Sequence, residues 1–140
     1  PRVVIDTNVV VAALRSRRGA SALLMSMLET GRFEMHLSIP LVLEYEEVLL
    51  RQSSELGLSA DDVGDLVNSI CAVGVRHETI YFNWRPSLPD ERDEHILDLA
   101  VKGGCEAIIT YNIRNFRGAE RFGIRVIDAQ TFLRELGVIR

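Results

Sequence analysis

The chain has 140 residues, of which 47% are hydrophobic and 26% are charged, values typical of one globular domain, here residues 1–140. The net charge of −4 argues against a passive nucleic-acid coat, which carries a broad basic surface, but leaves room for an enzyme that binds nucleic acid through a metal ion. No apolar run is long enough to span a membrane and no signal peptide precedes Val3, so we expect a cytoplasmic protein with no membrane contact.

The N-terminal segment begins with the β-branched run Val3-Val4-Ile5, which is typical of a strand buried on both faces. Asp6 follows directly, and ligands of open α/β sheets bind outside the carboxyl ends of the strands. Asp6 is therefore a candidate site residue, and the alternative is that it only caps the next turn. Thr7 and Asn8 add short polar side chains that can orient the carboxylate or bond the turn's backbone.

Helical and extended patterns alternate along the rest of the chain. The predicted helices are Ala20–Thr30, Leu41–Leu50 (capped by Ser38), a helix from Ser59 to about Val73, Glu91–Lys102 and Ala129–Leu136 (capped by Asp128). The predicted strands are Phe33–Leu37, Val75–Tyr81, Ala107–Thr110 and Ile124–Ile127. The predicted loops are Arg15–Gly19, Phe82–Pro89 and Tyr111–Gly123. This alternation predicts a parallel sheet covered by helices on both faces.

The helix Leu41–Leu50 carries two acids, Glu44 and Glu46, at the edges of its apolar face, whereas Glu47 points away. At about 100° per residue, helix geometry does not choose between Glu44 and Glu46. The alternative for either residue is a solvated helix edge.

Asp93 lies in the middle of an apolar helix face, because Ile96, Leu97 and Ala100 follow three, four and seven residues later. It either caps its own helix or faces an interior polar site, and we favour the second interpretation. His95 points in the opposite direction on the helix, so we expect it to be exposed.

Asn112 follows the fourth strand just as Asp6 follows the first. Its side chain offers a neutral oxygen ligand or a hydrogen-bonding amide. The alternative is a simple turn former.

Together these motifs resemble the PIN domain, and within it the VapC-like branch of toxins from toxin–antitoxin systems. The motifs are Val-Val-Ile-Asp-Thr-Asn-Val at the N-terminus, Ser38 with Glu44, Asp93-x-x-Ile-Leu-x-Leu-Ala100, and Ile-Ile-Thr-Tyr-Asn-Ile-Arg-Asn-Phe116. The resemblance covers essentially the whole chain. It implies an α/β/α sandwich of three layers around a parallel five-stranded sheet with the order 3-2-1-4-5.

The resemblance also implies a ribonuclease that depends on Mg²⁺ or Mn²⁺ and hydrolyses single-stranded RNA. It carries the catalytic and metal-binding roles onto Asp6, Glu44 and Asp93, and so selects Glu44 over Glu46. The implied partners are the RNA substrate, a small antitoxin protein and a second copy of the chain in a homodimer. Candidate contact surfaces are the helices Ala20–Leu28 and Leu41–Leu50.

Further polar residues receive supporting roles. We expect four of them to orient water or phosphate: Thr7, Asn8, Asn112 and Asn115. Three arginines are candidates for contact with the RNA backbone, unless they only form a solvated loop: Arg15, Arg17 and Arg18. The family commonly has an acid after the fourth strand, where this chain has Asn112 and Asn115, so the fourth acidic group is missing.

Two other functional classes compete with the ribonuclease. A phosphatase of the haloacid dehalogenase kind also places an Asp after its first strand, but it needs a second Asp where this chain has Asn8. The other is a PIN fold without catalysis that acts as a binding or assembly module. The missing fourth acid favours the module, and the three retained acids oppose it.

Overall fold

The computed structural model describes residues 1–78 and 87–140, and its centre is one parallel sheet. The strands are β1 (Arg2–Ile5), β2 (Glu34–Ser38), β3 (Val75–His77), β4 (Ala107–Ile109) and β5 (Arg125–Ile127). Their order across the sheet is β3-β2-β1-β4-β5, and every neighbouring pair is parallel. The predicted α/β class and the predicted strand order are therefore confirmed.

Seven helices connect or flank these strands in the described part of the chain. They are α1 (Thr7–Arg15), α2 (Ala20–Ser26), α3 (Ile39–Arg51), α4 (Ser53–Leu56), α5 (Ala60–Val73), α6 (Glu94–Lys102) and α7 (Ala129–Glu135). Short 3-10 turns cover Glu91–Asp93, Ile113–Phe116 and Ala119–Phe122.

Helix α1 was not predicted, and Arg15, which was assigned to a loop, is its last residue. Its β-branched Val9, Val10 and Val11 are poor helix formers in isolation. All three are buried in the core, so packing overrides the local preference. The single turn α4 was also missed, and it ends at Gly57, whose φ of 70° suits glycine.

Helix starts agree closely with the sequence signals. The Ser38 hydroxyl accepts a 3.2 Å hydrogen bond from the Leu41 amide at the start of α3. At the start of α5, Ser59 and Asp62 form a reciprocal capping box with bonds of 2.9 and 3.0 Å. Helix ends agree less well, because α2 stops at Ser26 and not at the predicted Thr30.

The predicted strand Val75–Tyr81 begins as expected, and β3 covers Val75–His77. The last residues of that prediction, 79–81, lie outside the described residues. So does most of the predicted loop Phe82–Pro89, of which only 87–89 belong to the described part.

The central strands of the sheet are buried in the core. Val3, Val4 and Ile5 of β1 and Ile108 and Ile109 of β4 are completely buried, as expected for strands covered on both faces. Because all five strands are parallel, their carboxyl ends share one edge, and this edge carries Asp6 after β1. None of the described helices is both long and apolar enough to cross a membrane.

Candidate active site

Asp6 lies directly after β1 and its side chain is nearly buried, with 8% exposure. Oδ1 accepts a 2.8 Å hydrogen bond from the Thr7 amide, and Oδ2 accepts one of 2.8 Å from the Thr110 hydroxyl. Burial raises the pKa of Asp6 to about 6, although the bonds from Thr110 and Thr7 act in the opposite direction. Asp6 therefore caps α1 and also faces a polar cluster shared with Thr110, and its role as a site residue stays a prediction.

Thr110 is a site residue that the sequence analysis did not single out. It is completely buried, and its hydroxyl accepts hydrogen bonds from the Asn112 amide at 3.0 Å and from the Asn8 side chain at 3.3 Å. The other end of the Asn8 side chain accepts a 3.2 Å bond from the Tyr111 amide. The sequence signal that could have identified Thr110 is its position directly after β4, which matches the position of Asp6 directly after β1.

Glu44 projects from α3 towards the same cluster. One carboxylate oxygen accepts a short hydrogen bond from the Thr7 hydroxyl, and the other lies 3.6 Å from Nε2 of His95. Burial raises the pKa of Glu44, but the contacts with His95 and Thr7 outweigh it and hold the pKa below its usual range. Glu44 is half-buried whereas Glu46 is exposed, so the structure brings Glu44 to the site and leaves Glu46 in solvent.

The prediction that His95 is exposed was wrong. Its side chain is only 19% exposed and lies against Glu44. Its Nδ1 atom is buried, with no hydrogen-bond partner among the described residues. The periodicity of α6 could not reveal this, because the group that covers His95 belongs to another helix, α3.

Asp93 precedes α6 and is half-buried. Its side chain makes no capping hydrogen bond to the helix, which leaves it available to the polar cluster. Burial raises the pKa of Asp93, and the negative charges of Asp90 and Glu44 raise it further. Since Glu44 and Asp93 also raise the pKa of Asp6, the three predicted acids act on one another electrostatically.

Three carboxylates that repel one another suit a hard divalent cation, which removes the repulsion. Their donors are all oxygen, the set that Mg²⁺ or Mn²⁺ prefers. Among the residues that the structure describes, no group of three or more His, Cys, Asp or Glu side chains is arranged to hold a metal ion. Mg²⁺ usually keeps several waters and takes one or two carboxylates directly, so it does not require three protein ligands in contact with it.

The two asparagines after β4 take different positions. Asn112 is exposed and Asn115 is half-buried, and the Asn115 amide donates a 3.0 Å bond to the Asn112 carbonyl. Within residues 1–78 and 87–140, no hydrogen bond joins either side chain to the three acids. Their expected role in orienting water or phosphate stays a prediction.

The three predicted RNA-contacting arginines lie at and after the end of α1. Arg15 donates a 2.6 Å bond to Gln52 and lies 3.7 Å from Glu55, so its guanidinium is already engaged beside α4. Arg17 and Arg18 are exposed in the turn before α2 and are the better placed of the three for a ligand.

Comparisons with known proteins agree with this fold. A family model described as "PIN domain" matches residues 2–114. One solved structure that matches is the VapBC-1 complex of nontypeable Haemophilus influenzae, at 14% identity and a TM-score of 0.62. That alignment covers 93% of this chain and 99% of the other, and at such low identity it supports the fold alone. No curated protein matches the chain.

Proposed function

The chain belongs to the PIN-domain family, and on that premise we propose that it is a metal-dependent endoribonuclease, the toxin of a toxin–antitoxin pair. Nuclease activity is the general property of the family, and the finer assignment to single-stranded RNA is our inference. The observation that carries it is the meeting of Asp6 and Glu44 at Thr7, on the carboxyl edge of the sheet, with the charge of Asp93 near enough to raise the pKa of Asp6. A site that hydrolyses phosphodiesters needs such a group of acids to hold divalent metal.

Each acid has a role that its surroundings support. Asp6 and Asp93 would hold Mg²⁺ or Mn²⁺, directly or through water, and the ion would polarise the scissile phosphate and acidify a bound water. Glu44, whose pKa the contacts with His95 and Thr7 hold below its usual range, would hold a metal-bound water and so take part in metal binding. Thr110 would fix the direction of the Asp6 carboxylate through its 2.8 Å bond.

The proposed partners follow from the family and from the surface. Exposed Arg17 and Arg18 would meet the phosphates of RNA, since the arginine fork matches phosphate oxygens. A small antitoxin and a second copy of the chain would cover apolar side chains of α2 and α3, among which Ile39 and Leu43 are strongly exposed. We propose a cytoplasmic homodimer, and light scattering at micromolar concentration that shows only monomer would contradict it.

A binding module without catalysis is the second candidate, because Asn112 and Asn115 stand where the family commonly supplies an acid. One experiment separates the two functions: cleavage of labelled single-stranded RNA with Mn²⁺, with EDTA, and by the variants Asp6→Asn and Glu44→Gln. The ribonuclease proposal expects cleavage by wild type with Mn²⁺ only and none by either variant.

Glu46→Gln is the matched control, since Glu46 is an exposed acid on the same helix and its loss should leave cleavage unchanged. Circular dichroism establishes that the inactive variants remain folded. Undiminished cleavage by Asp6→Asn, or full activity in EDTA, would refute the mechanism. RNA binding by wild type without cleavage would favour the module.

A further inference from the structure

Tyr111 presents an aromatic ring at the edge of the sheet that carries the acids. It follows Thr110 directly, and 48% of its surface is exposed. The residue is nevertheless held in place at its backbone and at the tip of its side chain. Its backbone amide donates to Asn8 at 3.2 Å, and its hydroxyl lies 2.5 Å from the hydroxyl of Ser21, a residue with only 2% exposure.

The same side chain that holds the Tyr111 backbone also contacts Asp6. The Asn8 amide nitrogen lies 3.4 Å from Oδ2 of Asp6 and 3.3 Å from the Thr110 hydroxyl. The position of the ring is therefore fixed relative to the carboxylate through one intervening residue.

The bond between Tyr111 and Ser21 also brings the first turn of α2 to this edge. Arg17 and Arg18 precede Ser21 by four and three residues and are exposed. A fixed, half-exposed ring is thus linked through Asn8 to a carboxylate that suits a divalent ion, and through Ser21 to the helix that follows two exposed arginines.

We propose that Tyr111 stacks on a nucleobase of single-stranded RNA beside the scissile phosphate, with Ser21 holding the ring in the stacking orientation. The inference rests on the proposed ribonuclease function and deepens it by naming a contact to a base. Stacking on an aromatic face tolerates any base, whereas the arginines would contact only the phosphates and set the path of the strand. A ring that is already ordered loses little side-chain entropy when the base binds.

The alternative is that Tyr111 only ties α2 to β4, with no contact to RNA. The two roles differ in whether the effect of the ring depends on a base. A binding experiment with a short labelled oligoadenylate, and with the same oligomer carrying one abasic nucleotide at each position in turn, makes that distinction. Fluorescence anisotropy in EDTA measures binding while metal-dependent hydrolysis is stopped.

We expect wild type to bind the intact oligomer at least about fivefold more tightly than the oligomer with the abasic nucleotide at one position. Tyr111→Ala should weaken binding of the intact oligomer by a similar factor and should bind the two oligomers equally. Tyr111→Phe keeps the ring but loses the hydroxyl that bonds Ser21, so its preference for the base should lie between those of wild type and Tyr111→Ala. Ser21→Ala frees the ring and should fall between wild type and Tyr111→Ala.

Phe122→Ala is the matched control, because Phe122 is an aromatic residue of similar exposure, 44%. It precedes β5 and therefore lies towards the opposite edge of the sheet from Tyr111. This variant should bind both oligomers like wild type.

If wild type cleaves RNA but Tyr111→Ala keeps the wild-type preference for the intact oligomer, stacking is refuted and the ribonuclease function stands. An equal loss of affinity for both oligomers assigns Tyr111 a structural role and also refutes stacking. If wild type neither binds nor cleaves single-stranded RNA, the proposed function itself fails and the stacking role fails with it.

Discussion

The Thr110 hydroxyl donates a 2.8 Å hydrogen bond to Oδ2 of Asp6, although the two residues are 104 positions apart in sequence. The pairing of β1 with β4 explains the contact. Ile5 is the register partner of Ile109, so the next residue of each strand arrives at the same point of the sheet edge. The buried carboxylate thus receives the polar partner that its burial requires.

Burial of Asp6 should destabilise the fold at neutral pH. The pKa of Asp6 is about 6 in the folded protein and about 3.9 in an unfolded chain, so the folded state holds this proton more tightly. The resulting stability is complete below about pH 4 and is lost as the pH rises through 6, an effect on the order of 3 kcal/mol. Without divalent metal, Asp6→Asn should therefore raise the free energy of unfolding more at about pH 7.5 than at about pH 4.5.

Urea titrations of wild type and Asp6→Asn in EDTA at both pH values measure this difference. Asp62→Ala removes the carboxylate that accepts the capping bond from the Ser59 amide and should be destabilising, which makes it a control of opposite sign. An equal effect of Asp6→Asn at both pH values would contradict the prediction.

Divalent metal should stabilise the folded chain through the three acids. A ligand that binds only the folded state at a concentration 100 times its Kd adds about 2.7 kcal/mol to the free energy of unfolding. Mn²⁺ should therefore raise the melting temperature of wild type but not of Asp6→Asn or Asp93→Asn, as thermal melts would show. Glu46→Gln should keep the wild-type shift, and an undiminished shift in Asp6→Asn would place the metal elsewhere.

The asparagines after β4 should limit the metal affinity of the site. Opposite unit charges about 4 Å apart attract by about 4 kcal/mol at an effective dielectric of 20, so an added carboxylate strengthens cation binding. We expect one bound ion at most in wild type, and tighter binding in Asn112→Asp or Asn115→Asp. Calorimetric titration of wild type and both variants with Mn²⁺ measures the affinity and the number of bound ions. If neither variant binds Mn²⁺ more tightly, these asparagines do not stand in the place of a metal ligand.

His95 should act as a positioning residue for Glu44, whose carboxylate lies 3.6 Å from its Nε2 atom. Loss of a group that orients a metal ligand typically reduces metal affinity or activity by about 10- to 100-fold. We expect His95→Ala to show a loss in this range, and His95→Gln, which retains a donor, to recover part of it. The readouts are Mn²⁺ affinity and the cleavage rate, with melting curves to verify folding; wild-type values for His95→Ala would exclude the role.

Tyr45 should stabilise the end of β1. Its side chain is fully buried and its hydroxyl donates a short hydrogen bond to the Ile5 carbonyl. Tyr45→Phe removes this donor and should lower the free energy of unfolding by about 1–3 kcal/mol. Chemical denaturation measures the loss, and a variant as stable as wild type would show that the carbonyl finds another donor.

The sequence determined the features that depend on neighbours along the chain. β-branched runs identify β1 and β4 because each strand is buried on both faces. Ser38 and Ser59 identify helix starts because a cap acts within three residues. The family resemblance, which the family match confirms, supplied the strand order, since no local pattern contains it.

The tertiary structure decided the features that depend on distant neighbours. Helix α1 forms despite the low helix propensity of its three β-branched valines, because the core buries their side chains. Glu44 enters the site and Glu46 does not, and His95 turns out to be covered, because α3 and α6 pack together at the sheet edge. Thr110 meets Asp6 only through the register of β1 and β4. These contacts join residues far apart in sequence. The hydrophobic periodicity of one helix or strand carries no information about where another one packs.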